Sequence, residues 1–138
     1  MPTSARQRAR TALAAVCFLT LSTACSGSAS SEEAVRTAEA AVQASSTRDV
    51  AALCALLAPQ TAQQLEQQES APCPVAAASL DLGKPSQRGP AEVWGSSAMV
   101  PMGPATVFLT EVDGRWRVLA AGCTLREDQP AQCRLGGG

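Results

Sequence analysis

Thr106-Val107-Phe108-Leu109-Thr110-Glu111-Val112-Asp113-Gly114-Arg115-Trp116-Arg117-Val118-Leu119-Ala120-Ala121 reads as two β-strands joined by a tight turn. Asp113-Gly114 is a favoured pair for a two-residue turn, because both central residues need positive φ. Apolar and polar side chains alternate on either side of it, the period of a half-buried strand. The turn sets the register: Val112 faces Arg115, Glu111 faces Trp116, Leu109 faces Val118 and Val107 faces Ala120. Val107, Leu109, Trp116, Val118 and Ala120 then share one face, expected to be the core face. Thr106, Thr110, Arg115 and Arg117 take the other, with Phe108 and Leu119 opposite each other. That outer face is either a binding surface or lies under a Cys123–Cys133 loop, and two exposed apolar residues alone need no functional explanation.

Upstream, Ala91–Trp94 and Ser97–Val100 read as a second hairpin turning at Gly95-Ser96, and Pro101-Met102-Gly103-Pro104 as the next turn. Gly83–Pro90 is a loop by composition. Before it the period is helical. Ser30-x-x-Glu33 makes a capping box, so a helix is expected from there to about Ser45. Its stripe is Ala34, Val35, Ala38, Ala41 and Val42. Thr47-Arg48-Asp49 breaks it and caps a second helix, whose buried face is Val50, Leu53, Cys54 and Leu57. Pro59 opens a third, Gln60 to Glu69, with Ala62 and Leu65 inside. Val75 to Leu80 adds a short helical turn. The fold class is therefore α+β: two to three N-terminal helices packed on a curved antiparallel sheet of about four strands.

Six cysteines divide by position. Cys17 and Cys25 lie at the N-terminal end, while Cys54, Cys73, Cys123 and Cys133 fall in the folded part. An even number in an exported domain implies two disulfides, and four cysteines allow three pairings. Local pairing, Cys54–Cys73 and Cys123–Cys133, keeps each bridge within one structural neighbourhood. Redox or metal chemistry fits less well: there is no Cys-x-x-Cys and no histidine. With only Trp94, Phe108 and Trp116 as aromatics here, the core is built from small side chains, and cross-links offset their small buried area.

The N-terminal end has the layout of a secretory signal peptide. Arg6, Arg8 and Arg10 form a basic region, Thr11–Leu21 is uncharged and apolar, and Ser22-Thr23-Ala24 precedes Cys25. The apolar run is shorter than the roughly 20 residues a membrane span requires. The expected boundaries are a signal peptide over 1–24, a lipidated Cys25 with a flexible tether over 25–31, and one α+β domain over 32–138. Removing the leader leaves 114 residues, with 8 Lys+Arg against 12 Asp+Glu, a net charge of −4. Such a chain has no electrostatic attraction to anionic lipid or nucleic acid, so membrane attachment would rest on the lipid.

Leu21-Ser22-Thr23-Ala24-Cys25 resembles the lipobox of bacterial lipoproteins, in which the cysteine becomes the first mature residue and carries lipid on its sulfur. Ser22 stands where that family usually has leucine. Ordinary secretion, with the same cut after Ala24, is the alternative. Asp49–Thr61, Pro72-Cys73 and Gly114–Cys123, with Cys133 closing the pattern, resemble uncharacterised small membrane lipoproteins of actinobacteria. The helix-Arg48-Asp49-helix start and the Gly114-Arg115-Trp116-Arg117-Val118 strand are similar to the nuclear-transport-factor-like cone, shared with limonene epoxide hydrolases and ketosteroid isomerases. That resemblance implies a fold and not an activity.

No catalytic constellation is visible. The absence of histidine excludes Ser-His and Cys-His pairs, and there is no tyrosine for an oxyanion site. Glu66 and Glu69 share a helix face, which reads as solvated. Trp94 is expected in the core or at its rim. Gly136-Gly137-Gly138 follows no strand and opens no helix, so it is no phosphate loop. The expectation is a non-enzymatic binding domain on the extracytoplasmic face, with an envelope protein partner and no cofactor or metal. Its alternative is a small molecule held in a cone-shaped cavity lined by Leu109, Trp116 and Val118.

Overall fold

A computed structural model describes residues 26–87 and 89–137. The expected signal peptide and Cys25 lie outside the described residues. The fold is α+β: four α-helices followed by a five-stranded open antiparallel sheet in the order β1-β2-β3-β4-β5. The helices are α1 (Ser26–Thr47), α2 (Val50–Leu56), α3 (Pro59–Glu69) and α4 (Cys73–Ala76), with a 3-10 turn over Ala77–Ser79. The strands are β1 (Glu92–Trp94), β2 (Ser97–Met102), β3 (Ala105–Val112), β4 (Arg115–Arg126) and β5 (Gln129–Gln132). The short helical turn expected over Val75–Leu80 is α4 with the 3-10 turn after it, and the sheet has five strands where about four were expected.

Local chemistry explains the helix boundaries. Asp49 Oδ1 accepts the Ala52 N–H at 3.0 Å and caps α2, while Arg48, at φ 60, turns the chain away from α1. Pro59 occupies the first turn of α3, where its missing N–H costs nothing. The start of α1 differs from expectation. Its backbone is helical from Ser26, so the Ser30–Glu33 box lies inside the helix and Ser26–Ser31 is no slack tether. Once Ala34, Ala38, Ala41 and Val42 are packed, another turn at the N-terminal end extends an existing helix and needs no new nucleus.

One apolar core lies between the helices and one face of the sheet. Ala34, Ala38, Val42, Leu53 and Leu65 meet Ala98, Val100, Val107, Leu109, Trp116 and Val118 there. Small alanines on α1 let that helix approach the sheet closely. Ser45, buried among them, donates to the Leu80 carbonyl at 2.9 Å and accepts the Leu82 N–H at 3.0 Å. This one hydroxyl satisfies two backbone groups of the segment leaving the helices.

The β3–β4 hairpin follows the expected register from the Asp113-Gly114 turn as far as Leu109 opposite Val118. Beyond that it departs. Phe108 pairs with Ala120, not Leu119, and Thr106 pairs with Cys123, so β4 carries one extra residue at Leu119 and another between Ala120 and Cys123. These bulges carry Ala120 out of the core face and Ala121 into it. Gly122 supplies the positive φ of 66° at the second. The β1–β2 hairpin turns at Gly95-Ser96 as read, with Trp94 opposite Ser97. Strand β2 continues through Pro101 and Met102, which had read as turn. Proline is tolerated there because β1 pairs only with Ser97 to Met99.

Strand β4 would expose a free edge along its middle, and other elements cover it. Leu57 bridges Val118 in parallel, and Ala58 N–H donates to the Val118 carbonyl at 2.8 Å. Thr61 Oγ1 donates to the Leu119 carbonyl. The Arg117 guanidinium donates to the Ala55 carbonyl. Further on, Ala121 and Leu135 exchange backbone bonds of 2.9 and 3.1 Å, and β5 pairs with the end of β4. A covered edge cannot recruit a foreign strand.

Candidate functional site

Both disulfides join the local pairs. Cys54–Cys73 ties α2 to the first residue of α4, across 19 positions. Cys123–Cys133 closes the β4–β5 turn across 10 positions. Glu66 supports the first bridge, its Oε1 accepting the Cys73 N–H at 2.8 Å. This corrects the reading of Glu66 as part of a solvated face: it is half-buried and holds a turn, while Glu69 is exposed. Among the described residues, no three His, Cys, Asp or Glu side chains gather as a metal-binding group.

Leu109, Trp116 and Val118, the candidate lining of a cavity between helices and sheet, are 1%, 5% and 0% exposed and belong to the packed core. Their indole, isopropyl and isobutyl groups pack in one cluster with Ala34, Ala38, Val42 and Leu53 of α1 and α2. Of the three, Leu109 also lines the open groove beside Trp94, while Trp116 and Val118 do not.

An open groove of about 540 Å3 lies across the outer face of the sheet instead. Its floor includes Phe108 and Ala120, paired across β3 and β4. Trp94 stands at one end, 51% exposed, so it is not a core residue. Leu119 is turned outward by the bulge that displaces it from pairing with Phe108. Gln60 and Gln64, one helical turn apart on α3, form a polar wall. Pro130 and Ala131 of β5 bound the other side. No charged side chain among the described residues lines this groove.

Toward the Cys123–Cys133 bridge the outer face is covered. Thr106, Ala120 and Cys123 are buried, and the segment after Cys133 lies over Ala120. A Cβ on Gly136 would stand 2.3 Å from the Leu119 carbonyl oxygen, and one on Gly137 2.9 Å from Cys133 Sγ. The glycines earlier read as a plain tail therefore permit a close backbone approach. One end of the outer face is sealed by the Cys123–Cys133 region, and the other is open beside Trp94.

Sequence reading missed Gln60, Gln64, Pro130 and Ala131. Nothing in the helical pattern of Gln60 to Glu69 marks the two glutamines, and β5 has no strand signal. Only Gly122, inside an otherwise regular strand, pointed to the bulge that opens the groove. No helix among the described residues is long and apolar enough to cross a membrane. Comparison with protein-family models, curated proteins and solved structures finds no match to this chain.

Proposed function

We propose that this chain is an exported lipoprotein whose domain works as a non-enzymatic binding module on the extracytoplasmic face of the membrane. The observation that carries this reading is the pair of disulfides in so small a domain, behind an apolar leader that ends at Cys25. Disulfides persist in oxidising compartments, and a leader of this layout delivers a chain to one. Lipid on Cys25 supplies the anchor that a mature charge of −4 does not. The resemblance to small actinobacterial membrane lipoproteins supports the same reading.

A binding role is favoured over catalysis by the chemistry available. The chain has no histidine or tyrosine, and the inward face of the sheet presents only apolar side chains. Apolar groups are instead left in water at Trp94, Leu119 and Leu125. A protein partner in the envelope fits this surface. We read the architecture as nuclear-transport-factor-like, because the bulges in β4 bend a sheet around a helix lying on one face. A small molecule between helices and sheet is disfavoured by the filled core there.

Fractionation of a bacterial host expressing the full chain tests this. Wild-type protein is expected in the membrane fraction, and Cys25→Ala in the soluble extracytoplasmic fraction. Photocrosslinking in intact cells from the outer surface is expected to recover a defined protein adduct. Membrane retention unchanged by Cys25→Ala, or adducts to lipid alone, would overturn the reading.

A further inference from the structure

We infer that the groove beside Trp94 is a binding site for a neutral saccharide. The inference goes beyond a protein partner and rests on the binding-module reading, but not on the lipid anchor.

The size comes first. A cavity of about 540 Å3 suits a small molecule or a few sugar units. The covered edge of β4 leaves no place along that strand for an added peptide.

Charge narrows the class. Lys, Arg, Asp and Glu make up 17% of the chain, yet none lines the groove among the described residues. Its polar side chains are the amides of Gln60 and Gln64 and the hydroxyls of Thr61 and Ser97. The Thr61 hydroxyl already donates to the Leu119 carbonyl. A charged ligand would lose hydration here and find no counter-charge. A neutral one has no such cost.

Shape and hydrogen bonding select the saccharide. Trp94 offers a half-exposed indole, a flat apolar platform of the kind against which the C–H face of a pyranose packs. Gln60 and Gln64 lie one turn apart, with Cβ atoms about 5–6 Å from each other, near the width of a pyranose ring. Each amide donates and accepts, which matches hydroxyls that do both. One wall is apolar and the other is amide, the two-sided chemistry of a sugar ring. The β4 bulge turns Leu119 toward this opening, and Trp116 stays buried on the opposite face of the sheet.

The two tryptophans make the test direct. Purified full-length protein in detergent is titrated with maltotriose or chitotriose while tryptophan emission is recorded. A saturable change is expected with at least one of them, from Trp94. Trp94→Ala is expected to abolish it, and Gln60→Ala with Gln64→Ala to weaken binding about tenfold by calorimetry. These positions are exposed or half-exposed, and far-ultraviolet circular dichroism checks that the variants fold. A response only to a fatty acid, one that survives Trp94→Ala, or none to either sugar up to about 10 mM would overturn the inference. Because Cys25→Ala protein is expected to bind equally well, failure of the anchor and failure of the site are separately visible.

Discussion

Thr61 Oγ1 donates to the Leu119 carbonyl at 2.8 Å, joining residues 58 positions apart. Leu119 is the extra residue of the first β4 bulge, so its carbonyl has lost the regular place in the β3–β4 ladder. The hydroxyl supplies the missing partner and fixes α3 along the strand edge. The side of the groove that carries Gln60 and Gln64 is positioned by this bond.

Thr61→Val keeps the shape and removes the donor. The Leu119 carbonyl is then left unpaired in a part-buried place, a loss of about 1–3 kcal/mol. Urea unfolding is expected to show that decrease, with Thr61→Ser close to wild type. A Thr61→Val protein as stable as wild type would mean that the bond contributes nothing.

Ser45 makes a comparable junction on the other side of the core. Its hydroxyl serves both the Leu80 carbonyl and the Leu82 N–H. Ser45→Ala is expected to cost about 1–3 kcal/mol and to speed hydrogen exchange at the Leu82 amide. Unchanged exchange there would contradict the bridge.

Two glycines separate strain from collision. Gly83 has φ 86° with nothing within 4 Å of an added Cβ, so Gly83→Ala bears only the backbone cost of about 1–2 kcal/mol. Gly136 has φ 67° and would also drive its Cβ against the Leu119 carbonyl. Gly136→Ala is expected to be clearly the more destabilising in paired melts, and to loosen the segment over Ala120. Equal losses would mean that the C-terminal segment does not lie on the sheet.

The Cys54–Cys73 bridge closes a 19-residue separation between α2 and α4. Replacing both cysteines by alanine is expected to lower stability by about 2–4 kcal/mol in denaturant titration, chiefly by freeing the unfolded chain. The Glu66 bond to the residue 73 amide survives that change, so α4 is expected to stay docked. No loss of stability would argue that the bridge is incidental.

Most of this fold was legible because local rules and tertiary packing agree. Asp113-Gly114 demands positive φ at both positions, and every pairing near the turn follows from that. Asp49 and Pro59 mark helix starts through their own chemistry. The cysteine pairing was legible as well, since each pair belongs to one neighbourhood. What failed was register at a distance. Past Leu109, alternation gives no sign that β4 inserts two residues, because Leu119, Ala120 and Ala121 suit either face. Gly122 was the one local warning. Strand β5, with Pro130 and two glutamines, has little intrinsic strand preference and pairs where Cys123–Cys133 holds it.

The candidate site was less legible for the same reason. Leu109, Trp116 and Val118 were correctly placed on the core face, and of them only Leu109 also lines the groove. The groove depends on the bulge, on α3 crossing the strand edge, and on β5. All three are tertiary outcomes. Trp94, expected in the core or at its rim, sits on a three-residue strand at the edge of the sheet, with its indole half in water.

Attachment of an exported domain by lipid turns on one atom, the sulfur of Cys25. Mass analysis of the N-terminal peptide from membrane-extracted protein measures it directly. A peptide that begins at Cys25 and carries diacylglycerol on its sulfur is expected. A peptide that begins at Cys25 with a free thiol, or one that retains the leader, would contradict it.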